Sequence, residues 1–241
     1  PPGSTFKIVT ALAYIRQNPD SWQNYHYQCN GAYINGDNKI NCYHGSVHGD
    51  VNLMTSFAKS CNAPFANIGM SMDREKFGET IDGLLFNQEF SFPLPYNQTK
   101  VTLDQDSTDE DVIQTSIGQG KTQITPVQLN LITAAIANGG KLMQPIVVDR
   151  VLNADGKILE KNEPSVYREL MSEKESEVMI SLMEDVVQEG TGRKLKDRSY
   201  TDAGKTGSAE FSSDKSESHA WFTGFAPTEN PEIAVTVIVE S

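Results

Sequence analysis

Positive charge is in short supply in this sequence: 20 Lys and Arg stand against 32 Asp and Glu, for a net charge of −12. A surface with that balance repels polyanions, which argues against nucleic acid and anionic membrane as main partners. Long apolar runs are missing as well. No stretch approaches the roughly 20 residues needed to span a bilayer, and there is no signal-peptide pattern. Internal repeats, low-complexity tracts and domain linkers are also absent. At 241 residues and 38% hydrophobic content, the chain reads as one large domain, 1–241, able to bury a sizeable core. It opens without methionine and its first chemically loaded residue is the fourth, so it is expected to be a fragment of something longer.

Cysteine is scarce. Cys29 and Cys42 lie in a polar segment rich in Gly and Asn, and Cys61 lies further on. The first two would close a small loop in an oxidising compartment, or stand as free thiols. Cys29, Cys42, His44 and His48 also resemble a mixed zinc-ligand set, but without the tight C-x-x-C spacing of strong zinc motifs. Zinc is the lesser alternative, and His44 and His48 are read first as loop residues making structural hydrogen bonds.

What the sequence does have is helical periodicity followed by strands. Ser4 to Gln17 reads as a helix, with Ile8, Val9, Leu12 and Ile15 on one face and Asn18-Pro19 at its end. Helical patterns follow over Val51–Lys59, Ala63–Met70 and Asp73–Phe86. The acidic run Asp104–Asp111 is expected to be a solvated surface segment. Thr125-Pro126 has the chemistry of a helix start, and the helix to Asn138 is apolar nearly all round and so expected to be buried. Ser172 and Glu175 form a capping-box pattern for a helix to Glu189. Ile146–Leu152 reads as a short strand, and the C-terminal part as three more: Ala203–Phe211, His219–Ala226 and Glu232–Glu240.

Three short patterns carry chemistry. Ser4 and Lys7 are three residues apart, hence on one helix face, where an amine can act as base towards a hydroxyl if its pKa is lowered. Ser-x-x-Lys also occurs at Ser56–Lys59 and Ser212–Lys215, so the pattern alone is weak. Ser60-Cys61-Asn62 is the second pattern; Ser60 and Asn62 can face one cleft only from a helix-to-helix turn. Lys205-Thr206-Gly207, opening a strand, is the third.

In this order and spacing the three resemble the motif set of serine β-lactamases and penicillin-binding proteins. Further stretches make the chain similar to the transpeptidase domain of class B-like penicillin-binding proteins. They are Cys42…His48-Gly49, Ile117-Gly118-Gln119-Gly120, Thr125-Pro126-Val127-Gln128-Leu129, Ala137-Asn138-Gly139-Gly140 and Gly190-Thr191-Gly192. The resemblance implies an α+β fold of the β-lactamase/transpeptidase type, an antiparallel sheet with a mostly helical lobe. Three C-terminal strands of an expected five would be present, leaving the last strand with an exposed apolar edge.

It also implies roles. Ser4 would attack a D-Ala-D-Ala stem peptide or a β-lactam, and Lys7 would take its proton. Ser60 would pass a proton to the departing amine, Asn62 would hold the substrate amide and Lys7, and Lys205 would keep the site electropositive and ease deprotonation of Lys7. Thr206 and Ser208 would bind the substrate carboxylate. Gly207 would leave room for substrate along the strand, and the backbone N–H groups of Ser4 and Ser208 would form the oxyanion hole. No cofactor is implied. The partners implied are peptidoglycan stem peptides and β-lactams, at the extracytoplasmic face of the bacterial membrane, with any anchor upstream of this chain. Two rivals share the motifs. A class D-like β-lactamase typically carries valine where this chain has Asn62, and the class A pattern fails after Glu163-Pro164, where Tyr167 stands in place of Asn. A β-lactam sensor would differ only in its flanks.

Overall fold

The computed structural model describes residues 1–196, 198–210 and 218–240. Gly3–Phe6 forms one 3-10 turn that runs directly into helix α1 (Lys7–Gln17). The expected helix is therefore real, but its first turn is wound tighter. Lys7 to Ile15 of α1 are all buried, which makes it the central helix of the molecule. The polar, Gly- and Asn-rich segment that follows forms short strands. Strands β1 (His26–Cys29), β2 (Ala32–Asn35), β3 (Asn38–Asn41) and β4 (Gly49–Asn52) form two antiparallel pairs, β1 with β4 and β2 with β3, the latter turning at Gly36-Asp37. Val51, expected in a helix, belongs to β4.

Helices α2 (Leu53–Ala58) and α3 (Asn62–Ser71) flank the Ser-x-Asn turn, and α4 (Arg74–Gly83) packs on α1. Asn52 and Thr55 cap α2 reciprocally, so its start is fixed locally rather than by the apolar pattern. The acidic run is not merely solvated. Thr108 and Asp111 form a capping box that opens α5 (Asp109–Ser116), whose acidic first turn suits the positive end of a helix. Asp109 also binds Arg74 and accepts from Asn35 at 3.1 Å, tying α5 to α4 and β2.

Helix α6 (Pro126–Ala137) starts at Thr125, which accepts from the Gln128 N–H, and buries Gln128, Leu129, Ile132, Thr133, Ala135 and Ile136. After it come two small antiparallel pairs: β5 (Lys141–Met143) with β8 (Val166–Glu169), and β6 (Arg150–Leu152) with β7 (Ile158–Lys161). Helix α7 (Glu173–Gln188) has the expected Ser172/Glu175 capping box. The last elements are β9 (Ala203–Glu210), β10 (Ser218–Ala226) and β11 (Ile233–Val239), a three-stranded antiparallel sheet in the order β11-β10-β9.

Two features of this sheet position the site. Helix α6 packs on β10 and β11, and α7 on β9; a buried hydroxyl chain, Thr133 to Thr223 to Thr236 at 2.6 Å each, joins helix to sheet. The outer edge of β9 is left to face the Gly3–Phe6 turn. At the other edge, β11 alternates between half-buried residues facing α6 and exposed Ile233, Val235, Val237 and Val239, in line with the apolar edge the sequence foreshadowed.

Candidate active site

The turn that carries Ser4 is held from two sides by glycines. Gly3 has φ +56°, and a Cβ there would lie 2.3 Å from the carbonyl oxygen of Ser208 on β9. Gly118, at φ +75°, lies on the opposite side: its carbonyl accepts from the Gly3 N–H at 2.9 Å, and a Cβ on Gly118 would meet the Gly3 oxygen at 2.0 Å. Neither position admits a side chain without moving backbone. The Ile117–Gly120 stretch thus clamps the turn that carries the serine. Gln119 adds a contact, its Nε2 donating to the Ser208 carbonyl at 3.3 Å.

Lys7 opens α1 one turn after Ser4 and is 0% exposed. Its Nζ lies 3.0 Å from Ser4 Oγ, 2.8 Å from the Ser60 carbonyl oxygen and 2.7 Å from Asn62 Oδ1. The orientation of the Asn62 amide is fixed because its Nδ2 donates to the Asn41 carbonyl at 3.0 Å. The two oxygens from Ser60 and Asn62 are acceptors only. A neutral amine has two N–H groups for them and one lone pair left, and the remaining neighbour is the Ser4 hydroxyl, which can donate. Burial pushes the Lys7 pKa down to about 7, against a smaller upward pull from the nearby Cys61 and Cys42 side chains. Burial, not the charge of Lys205, is therefore what frees this amine. The charge coupling appears on the other lysine: Lys205, also 0% exposed, is pushed well below its ordinary pKa by burial first and by Lys7 second.

Ser60 connects the two amines. Its carbonyl accepts from Lys7, and its Oγ accepts from Lys205 Nζ at 2.8 Å. It occupies the turn between α2 and α3, as the i, i+2 spacing demanded, with φ +56°, a left-handed conformation that few serines adopt. Asn62 is the first residue of α3. Lys205 starts on the buried side of β9 and curls around, its Nζ also donating to the carbonyl of Thr206 at 3.0 Å. The length of the lysine stem thus resolves how neighbours on opposite strand faces serve one cleft. Thr206 and Ser208 alternate to the more open side; Thr206 Oγ1 is 2.5 Å from Thr191 Oγ1 in the Gly190–Gly192 stretch, a neighbour the sequence reading did not assign.

Gly207 lies against the turn that carries Ser4. A Cβ there would lie 2.9 Å from the Pro2 oxygen and 3.0 Å from Thr5. The missing side chain makes room for the Ser4 turn. The decoy Ser56–Lys59 is ruled out by burial: Ser56 is buried and Lys59 exposed, so the pair shares no cleft. Ser212–Lys215 and Phe211 lie outside the described residues.

The three cysteines are free thiols, so the loop-closing Cys29–Cys42 bridge is not formed. Instead Cys29, Cys42 and Cys61 meet, with Sγ–Sγ separations of 3.3 to 3.6 Å, and His48 Nδ1 stands 3.0 Å from Cys61 and 3.6 Å from Cys29. His44 is not among them. Hydrogen bonds from the Cys61 thiol and from the Ala63 and Asn62 N–H groups push Cys42 towards its thiolate, while the same Cys42 bond and burial push Cys61 up. Sequence reading missed Cys61 here because it scanned for ligands in one loop.

The whole chain, residues 1–241, matches the family model described as the penicillin binding protein transpeptidase domain. It is 29% identical over 247 residues to Stage V sporulation protein D of Bacillus subtilis, an alignment covering 100% of this chain and 38% of that protein. It is 28% identical over 250 residues to the peptidoglycan D,D-transpeptidase PbpA of Mycolicibacterium smegmatis, covering 100% of this chain and 50% of the relative. Among solved structures, the imipenem acyl-enzyme complex of penicillin-binding protein A from M. tuberculosis superposes with a TM-score of 0.88 at 26% identity, over 100% of this chain and 55% of that one. The D,D-transpeptidase domain of a peptidoglycan glycosyltransferase from Eggerthella lenta gives 0.87 at 27%, over 99% and 60%. The chain therefore spans about half or less of the curated relatives just named.

Proposed function

The chain belongs to the penicillin-binding protein transpeptidase domain family, and from that premise we propose that it is a peptidoglycan D,D-transpeptidase that works through an acyl-enzyme on Ser4. The observation that carries the reading is the buried Lys7 amine, with a pKa near 7, 3.0 Å from Ser4 Oγ and bonded on its other sides only to acceptors. Ser4 Oγ attacks the carbonyl of the penultimate D-Ala of a stem peptide as Lys7 Nζ takes the hydroxyl proton. The Ser4 and Ser208 backbone N–H groups face the developing oxyanion. As the tetrahedral centre collapses, the terminal D-Ala amine departs with a proton relayed through Ser60, which Lys205 supports from behind. The amine of a second stem peptide then attacks the ester, its proton returns through the same groups, and Ser4 is regenerated. Thr206 and Ser208 receive the substrate carboxylate, whose arrival favours protonation of Lys205, and Asn62 serves the substrate amide while orienting Lys7.

A β-lactam enters by the same first step, and its opened ring cannot leave as D-Ala does. The proposed place of action is the extracytoplasmic face of the bacterial membrane. No helix among the described residues is long and apolar enough to cross a membrane, and the proposal assigns any anchor to another part of the protein. Intact mass after incubation with benzylpenicillin tests the reading. A lasting adduct is expected on the chain and none on Ser4→Ala, together with formation of a cross-linked product from a D-Ala-D-Ala peptide and an amine acceptor. Drug consumed without a lasting adduct would make the protein a β-lactamase; an adduct with no peptide product would make it a sensor; an adduct surviving Ser4→Ala would remove Ser4 from the role.

A further inference from the structure

The Gly118-Gln119-Gly120 loop sets one polar side chain against the strand that carries Ser208. Helix α5 ends at Ser116, and the chain then turns back on that end. The Gly118 N–H donates to the Thr115 carbonyl and the Gln119 N–H to the Gln114 carbonyl, at 2.9 Å each. Gly118 and Gly120, on either side of Gln119, have φ +75° and +63°, the left-handed region that glycine enters without a steric penalty. This reversal leaves the Gln119 side chain half-buried and reaching to β9, where its Nε2 donates to the Ser208 carbonyl at 3.3 Å.

That carbonyl is not an ordinary surface acceptor. Among the described residues β9 pairs only with β10, so its other edge is unpaired. The Ser208 oxygen lies on this free edge, beside Gly3 and Gln119. In an antiparallel strand the N–H and C=O of one residue point the same way, and a partner residue laid opposite exchanges both bonds with it. The Ser208 N–H, assigned above to the oxyanion, therefore shares that edge with the carbonyl. An acyl donor that seats its reacting carbonyl oxygen on the Ser208 N–H brings its own N–H, one carbon along, to the Ser208 oxygen. A stem peptide has such an N–H on its penultimate D-Ala, and benzylpenicillin has one in its acylamino group. Penicillanic acid, the same bicyclic nucleus without the acylamino group, has none.

We propose that Gln119 is a positioning residue that stands in for the acyl donor's own amide at the Ser208 carbonyl. In the chain alone, or with an acyl donor lacking that N–H, the Gln119 amide satisfies the carbonyl and keeps Ser208 turned so that its N–H faces Ser4. A donor with the N–H takes over the bond, and Gln119 gives way or shares the oxygen, which has two lone pairs. An edge carbonyl with no donor at all would swing towards water and carry the oxyanion N–H with it. A half-buried loop glutamine is otherwise an ordinary solvated amide; the atom it bonds sets this one apart. The inference rests on the Ser4 acyl-enzyme reading above.

The test is the rate of Ser4 acylation, followed by intact mass, for benzylpenicillin and penicillanic acid on the parent chain, Gln119→Met and Gln119→Lys. Methionine fills the same space without a donor, and lysine restores one. Gln119→Met is expected to slow acylation by penicillanic acid about tenfold and by benzylpenicillin about threefold at most, the span that one hydrogen bond supplies. Gln119→Lys should bring the ratio of the two rates back to within about twofold of the parent's. Lost packing would slow both probes alike, so the ratio reads the shared acceptor and not the fold. Equal losses with the two probes, or no loss with penicillanic acid, would overturn the inference. So would a Gln119→Lys ratio no different from that of Gln119→Met. In each of those outcomes the parent's adduct on Ser4 still stands, whereas a parent with no Ser4 adduct would bring down the acyl-enzyme reading and this inference with it.

Discussion

Lys7→Met is expected to slow acylation of Ser4 by benzylpenicillin by about 10³-fold, within the range general-base catalysis supplies, while the variant still folds. Methionine matches the lysine stem in length and leaves the buried slot filled. It has no lone pair of use to the Ser4 hydroxyl. The pH profile separates chemistry from packing. Only the neutral amine can take the proton, and its pKa is about 7. In the parent chain the acylation rate should therefore climb about tenfold per pH unit up to pH 7 and level off above, leaving it roughly 100-fold below the plateau at pH 5. The variant's residual rate should lack that rise. A variant within a few-fold of the parent, or a parent rate that falls as pH rises through 7, would end the assignment of Lys7 as base.

The second large effect is on stability. An unfolded lysine titrates near 10.5 and folded Lys7 near 7, so between those values the unfolded chain holds one more proton than the folded one. Stability must then rise with pH across that window, by up to about 1.4 kcal/mol per pH unit, because folding releases a proton that the unfolded state holds. The burial penalty is fully present below pH 7 and relieved on approach to pH 10.5. From pH 7 to pH 10, denaturant unfolding should show the parent gaining on the order of 3 kcal/mol relative to Lys7→Met, which has nothing to titrate. Lys205, lowered in the same direction, adds a parallel slope that both chains retain. Parallel stability curves for parent and variant would mean that Lys7 keeps its proton in the fold.

What could be read from the sequence was what neighbours along the chain decide. The Ser172/Glu175 cap, the Thr125-Pro126 helix start and the three C-terminal strands are local signals, and each led to the right element. Thr108 and Asp111 were an equally local signal for α5, obscured by the charge of the run around them. The site is a matter of long-range contact. Lys7 meets Asn62 across 55 positions, and Lys205 meets Ser60 across 145. Motif order located those residues but not their geometry. It gave no hint that Lys205 would be fully buried, that Gly207 would face Thr5, or that Cys61 would join Cys29, Cys42 and His48.

The left-handed backbone of Ser60 sets two demands against each other. Glycine and asparagine adopt that conformation more readily than serine, which bears a strain of about 1 kcal/mol or more there. Neither would place the hydroxyl that Lys205 now meets at 2.8 Å. Variation filtered only for folding would drift away from serine at this position, and variation filtered for acyl transfer would be drawn back to it. What holds a serine in that backbone is thus its side-chain contact with Lys205, not the conformational preference of the residue.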